Sequence, residues 1–168
     1  MHPQKKFKRR PGEFLALSLP SGGYGYGRVL HKLMAFYDLR TDELVDMDRV
    51  AASNILFVTG VHVTAISNRG WQSIGVRPLE DEFQQDRKFF RKNPSGHGFL
   101  IYISKPTPPN AYEEIRASAG ECKGLEPLLV WEPDQIEQRI DDHFNKKENI
   151  HLSHYLGHLA DQDHKVFH

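Results

Sequence analysis

The stretch Pro11-Gly-Glu-Phe-Leu-Ala-Leu-Ser-Leu-Pro20-Ser-Gly-Gly-Tyr-Gly-Tyr-Gly-Arg-Val-Leu30 decides the fold. Its first half, Glu13 to Leu19, is an apolar run of strand length. Pro20-Ser-Gly-Gly23 ends that run with turn chemistry, because glycines reach φ > 0 where a hairpin must reverse. Tyr24 to Leu30 then alternates with period two, which sets Tyr24, Tyr26 and Arg28 on one face and Gly25, Gly27 and Val29 on the other. Glycine inside a strand weakens it, so the pair predicts a bulge, a sharp coil or another backbone passing close by. The competing reading is a phosphate loop. Such a loop hands its anion to a helix N-terminus and ends in Gly-Lys-Ser/Thr. Here β-like sequence follows and no such triplet occurs, so a hairpin accounts for the glycines.

Working outward, Leu33 to Leu39 is a third β-like run, turned by Arg40-Thr-Asp-Glu43. Met47 to Ala52 suits a short helical turn. Ile55 to Val58 and Val61 to Ile66 are β-branched and apolar, and Thr59-Gly60 between them predicts a second hairpin. Trp71 to Val76 is a strand closed by Pro78, Glu80 to Lys88 a short charged helix, and Gly98 to Ser104 the last strand of this region. The expected class is therefore α+β and mainly β: a strongly bent antiparallel sheet or a small barrel-like sheet with short helices, plus a C-terminal helical extension.

Lys105-Pro-Thr-Pro-Pro-Asn110 interrupts any regular element and is expected as a linker. Beyond it, Ala111 to Ala119 is predicted as a helix capped by Asn110 and ending near Gly120, and Leu128 to Trp131 as an isolated strand. Asp134 to Phe144 places apolar residues at 136, 140 and 144 on one helical face, and Leu152 to Ala160 suits a final helix. The chain thus divides into a flexible basic arm (1–10), a β-rich domain (11–104), and a proline-rich linker with a helical extension packing on the same domain (105–168).

Composition narrows the function. The 168 residues include ten Phe, six Tyr and two Trp, enough large apolar surface to hold a core without disulfide or structural metal. A single cysteine, Cys122, excludes an internal disulfide and is expected to be inert. No apolar segment follows the basic start and no run reaches the length of a membrane span, so a cytoplasmic protein without a membrane partner is expected. Basic and acidic residues balance at 22 each, which disfavours a dedicated nucleic-acid binder. Lys5, Lys6, Lys8, Arg9 and Arg10 nevertheless concentrate positive charge in the first ten positions.

No nucleophile signature is present, and Ser95-Gly-His-Gly98 is accounted for by a tight turn before a strand. His154 and His158 lie one helical turn apart, but no carboxylate or cysteine completes a zinc spacing with them, so no metal or cofactor is expected. Two acidic clusters stand out: Glu80, Asp81, Glu82 and Asp86, and Glu132, Asp134, Glu137, Asp141 and Asp142. Such runs are usually solvated helix faces, and they can also steer a basic partner such as a nuclease.

Pro11-Gly-Glu-Phe14, Tyr24-Gly-Tyr-Gly-Arg-Val-Leu30, Ala35-Phe-Tyr-Asp38, Ile55-Leu-Phe57, Trp71-Gln-Ser-Ile-Gly75, Pro78-Leu79, Phe89-Phe90 and the Phe99 to Ile103 strand follow in an order that resembles the immunity protein 26 family of bacterial polymorphic toxin systems. The resemblance spans roughly residues 10 to 104. It implies a non-enzymatic protein that binds and neutralises a cognate toxin, delivered by a neighbouring cell or made by the cell itself, by stoichiometric occlusion in the cytoplasm. Expected contacts are Tyr24, Tyr26 and Arg28, on one strand face and of residue types enriched at binding hot spots, together with Glu80, Asp81, Glu82 and Asp86. Trp71, Phe36 and Phe57 are expected in the core. The alternative function is a small β-barrel nucleic-acid-binding module that uses the basic arm, with Phe7 stacking on a base.

Overall fold

The computed structural model describes residues 8–62, 66, 69–108 and 111–163. The chain forms two units, one of residues 1–80 and 130–147, the other of residues 81–129 and 148–168. The mainly-β α+β class with helices toward the C-terminal end is what the structure shows, built on two mixed sheets that form no closed barrel among the described residues.

In the first unit, β1 (Glu13–Ser18), β2 (Tyr24–Val29), β3 (Met34–Tyr37), β4 (Ile55–Val61) and β5 (Gln72–Val76) are joined by the short β10 (Val130–Trp131). Their order is β10-β4-β3-β2-β1-β5. The first hairpin forms as the sequence predicts: β1 pairs antiparallel with β2, Phe14 opposite Arg28 and Ser18 opposite Tyr24, around Gly22 (φ 100°) and Gly23 (φ 77°). The second does not. β4 runs straight through Thr59-Gly60, and Gly60 pairs in parallel with Val130, so the segment expected as an isolated strand is a sheet edge. Phe36, Phe57 and Trp71 are core residues, as expected.

Both faces of this sheet are covered. On one, Phe14, Ala16, Tyr26 and Tyr37 pack with Leu39 and with Val50 of helix α1 (Met47–Ala51). On the other, the glycines of β2 explain themselves. A Cβ at Gly25 would lie 3.1 Å from Ile140 of the helix Pro133–Phe144, and one at Gly27 only 2.8 Å from the Phe36 ring. The Ile140 and Phe36 side chains make the tightest approaches to this bare face, and the backbone carbonyl oxygen of Ala35 lies 3.4 Å from a Cβ at Gly27.

In the second unit, β6 (Arg87–Lys92), β7 (Phe99–Ser104), β8 (Tyr112–Ala117) and β9 (Glu126–Pro127) order as β8-β7-β6-β9. One face packs Phe90, Phe99 and Ile101 against Cys122 of α2 (Ala119–Cys122) and Leu159 of a long C-terminal helix, Ile150–Asp163. With Pro133–Phe144 as α3, that last helix is α4. The helix predicted over Glu80 to Lys88 is instead a 3-10 turn at Asp81–Gln84 followed by β6. The helix predicted over Ala111 to Ala119 is β8, because its backbone is claimed along its length by β7. The proline-rich segment is the loop of the β7–β8 hairpin, closed by the Lys105 amide donating to the Ala111 carbonyl at 3.0 Å. The expected cap Asn110 lies outside the described residues.

Replacing Gly27 by Ala forces the Phe36 ring to move and is expected to lower stability by about 1–3 kcal/mol. Urea unfolding followed by tryptophan fluorescence reads the loss, and an unchanged midpoint would remove this account of the glycine.

Candidate functional site

Tyr24, Tyr26 and Arg28 do share a strand face, but not an exposed one. Tyr26 and Arg28 are 0% exposed and Tyr24 is half-buried: residues 39–51 pack over the two tyrosines, and Gly12, Phe14 and residues 77–80 enclose Arg28. The expectation of an exposed contact face is corrected accordingly. The Tyr26 hydroxyl lies 2.5 Å from the Thr41 hydroxyl and accepts from the Val45 amide at 3.2 Å, so it ties down the covering segment.

Arg28 is a joint. Its guanidinium donates to the carbonyls of Gly12 (3.3 Å), Arg77 (3.0 Å) and Pro78 (3.0 Å), pairs with the Glu80 carboxylate, and lies 4.2 Å above the Phe14 ring centre. A planar fork with several donors can satisfy this set, whereas an ammonium cannot. Glu80, though 42% exposed at its side chain, is therefore engaged within its own unit.

Helix α3 contributes a second group of buried charges. Glu137 accepts from the Trp71 indole Nε1 at 2.8 Å and is bridged by Arg69, whose guanidinium is pushed above its ordinary pKa first by the hydrogen bond and then by the charge of Glu137. Asp141 accepts from the backbone amide (3.1 Å) and hydroxyl (2.7 Å) of Ser21 at the tip of the first hairpin. The Arg139 guanidinium carbon lies over the Phe57 ring, 3.6 Å from its centre. Of the acidic cluster at 132–142, Glu137, Asp141 and Asp142 are thus buried rather than a solvated face. Apolar spacing alone marked the helix, and nothing local marked its carboxylates as interior.

In the second unit Asp81, Glu82 and Asp86 are exposed, on and just after the 3-10 turn that buried Phe83 anchors. Asp86 accepts from the Lys105 ammonium at 2.7 Å, a bond that raises the pKa of Lys105. Among the described residues no ion pair involves Asp81 or Glu82. A mainly apolar pocket of about 210 Å³ is lined by Phe90, Pro127, Leu128, Leu129, Tyr155 and His158 with Arg91 and Lys92. Burial pushes the Cys122 thiol pKa up, as an inert thiol requires.

Ser95 to Gly98 is the β6–β7 turn, with Gly98 at φ 80° and its carbonyl bonded to the Asn93 amide. No group of three His, Cys, Asp or Glu among the described residues could hold a metal ion. Of the basic arm, Lys5, Lys6 and Phe7 lie outside the described residues, while Arg9 donates to the carbonyls of His31 (2.9 Å) and Leu33 (2.6 Å) and Arg10 pairs with Glu13. No helix among the described residues is long and apolar enough to cross a membrane.

The model of the Immunity protein 26 family matches residues 10–99. The chain belongs to that family. Neither the comparison with curated proteins nor that with solved structures gave a match. The matched span contains both the buried Arg28 joint and the exposed Asp81 and Glu82.

Two outcomes follow from the buried groups. Arg28→Lys is expected to cost about 2–4 kcal/mol, since it leaves buried carbonyls and a carboxylate short of donors. Calorimetry would show this as a lowered melting temperature, and a melt equal to the parent's would contradict the joint. Glu137→Ala is expected to cost about 1–3 kcal/mol through the stranded indole N–H, and Glu137→Gln less, because the amide oxygen still accepts. Equal losses in chemical denaturation would rule out that hydrogen-bond account.

Proposed function

We propose that this chain is an immunity protein that binds a cognate toxin in the cytoplasm and neutralises it by stoichiometric occlusion, without turnover. The family match over residues 10–99 carries the reading. The toxin belongs to a polymorphic toxin system, delivered by a neighbouring cell or made by the cell itself.

The geometry supports an electrostatic contact at the acidic turn. Glu80 is engaged by Arg28 and Asp86 by Lys105, which leaves the exposed Asp81 and Glu82 as the acids offered to a partner. The buried Phe83 between them and β6 holds the turn in place, so the two charges are presented without a large ordering cost. Two fixed carboxylates suit a basic toxin such as a nuclease, whose encounter they would accelerate. Tyr26 and Arg28 then act as scaffold and make no contact.

Co-expression with the product of an adjacent toxin gene should restore growth, and titration should give one chain per toxin. Absence of both rescue and complex would overturn the immunity reading. Asp81→Lys combined with Glu82→Lys should slow association by roughly tenfold at low salt with little change in melting. An unaltered association rate would displace the acidic turn from the interface while leaving the immunity reading standing.

A further inference from the structure

Sheet edges expose unpaired backbone groups, and three of the four edges here are blunted. β9 and β10 are two residues long, and β5 pairs with β1 through a register shift beside Gly75 at φ 142°. β8 is different. It runs six residues, Tyr112 to Ala117, in unbroken register with β7, and five of the six are exposed. Among them are two large apolar side chains, Tyr112 (57% exposed) and Ile115 (48%).

The register with β7 fixes the hydrogen-bond phase of this edge. The Lys105 amide bonds the Ala111 carbonyl, and the register pairs Ser104 with Tyr112 and Ile101 with Ile115. In an antiparallel ladder hydrogen-bonded pairs alternate with non-bonded ones. Residues 111, 113, 115 and 117 therefore turn their amides and carbonyls toward β7, and Tyr112, Glu114 and Arg116 turn theirs outward.

The side chains then select what can pair there. A second β8 laid antiparallel on the first can be centred on Glu114 or on Ile115 with the outward groups in phase. Centring on Glu114 sets two carboxylates opposite each other, which is destabilising. Centring on Ile115 sets Ile115 against Ile115 and places Glu114 opposite Arg116 twice, once on each side of the axis. The strand is complementary in charge to its own copy in that one register. Glu114 holds Arg91 at 2.6 Å through Oε1, which leaves Oε2 to accept from the second copy's Arg116.

We propose that β8 is a self-association edge: two copies of this chain join by a two-fold-symmetric antiparallel β8–β8 contact centred on Ile115, merging two four-stranded sheets into one of eight. The contact is small, so association is weak and concentration-dependent. It leaves Asp81 and Glu82 out of the paired strands, and the inference does not rest on toxin binding.

Sedimentation velocity of the full chain across micromolar to near-millimolar concentration tests it. The parent should shift from monomer to dimer, and Arg116→Glu and Glu114→Lys should each weaken self-association by roughly tenfold or more. Mixed together, the two variants should restore a dimer, because each supplies the charge the other needs. Ile115→Cys provides a second readout. Its thiols would face each other across a non-bonded pair about 4.5 Å apart at Cα, so mild oxidation should yield a cross-linked dimer, while Glu113→Cys should not. A parent that stays monomeric, a mixture that fails to restore the dimer, or equal cross-linking at 113 and 115 would each overturn the proposal. Free protein that is monomeric yet loses toxin affinity on Arg116→Glu would mean that the edge takes a toxin strand instead.

Discussion

The first unit depends on one buried cation. Arg28 is 0% exposed, and a charge in that position is tolerated only if its donors are met. They are met by two chain segments far apart in sequence, Gly12 on one side and Arg77 to Glu80 on the other. Gly12 completes the joint. It takes φ 92°, and a Cβ there would sit 2.1 Å from the Arg77 carbonyl oxygen, so no other residue fits between the two strands' ends. The Gly12 amide bonds Val29 and the Arg77 amide bonds Gly12, so glycine backbone and arginine side chain form a single connector. Replacing the cation by an apolar side chain would take from the Arg77 and Pro78 carbonyls the donors that Arg28 supplies, and would leave the Gly12 carbonyl with the Arg77 amide alone.

Helix α3 repeats the same solution with the signs reversed. Two of its three buried carboxylates hold a piece of chain from the N-terminal half: Glu137 the Arg69–Trp71 corner, Asp141 the Ser21 turn. Buried carboxylates with specific donors favour one docking of the helix over others that would bury Ile136 and Ile140 equally well. Gly25 adds the steric half of that selection, because Ile140 occupies the space a side chain would take.

Strand existence was legible wherever pattern and turn chemistry are local, as in Glu13 to Leu30. What failed was information carried by distant partners. In Tyr-Glu-Glu-Ile-Arg-Ala, apolar residues three apart imitate a helical face, and only the pairing of β7 makes the segment a strand. Thr59-Gly60 has turn composition, yet β3 on one side and Val130 on the other keep it extended. The period-two pattern of Tyr24, Tyr26 and Arg28 marks a strand, but an arginine on a strand face ordinarily signals solvent. Its burial depends on Gly12 and on residues 77–80, which no local window contains. The acidic turn was legible as a charge cluster, and its division into engaged and available carboxylates was not.

Gly12, Phe14, Arg28, Phe36 and Trp71 fall within residues 10–99, and each is engaged in the interior. Side chains engaged in the interior hold a scaffold, and under the proposed reading toxin discrimination rests on the side chains that this scaffold leaves exposed. Specificity is a difference in affinities, and it can change with exposed charges while every joint stays fixed. Under the proposed reading, two members of this family could share the Arg28 joint and yet neutralise different toxins. The acidic turn is then the place to look for the difference, because it is held by a buried anchor and carries charges that the fold itself does not consume.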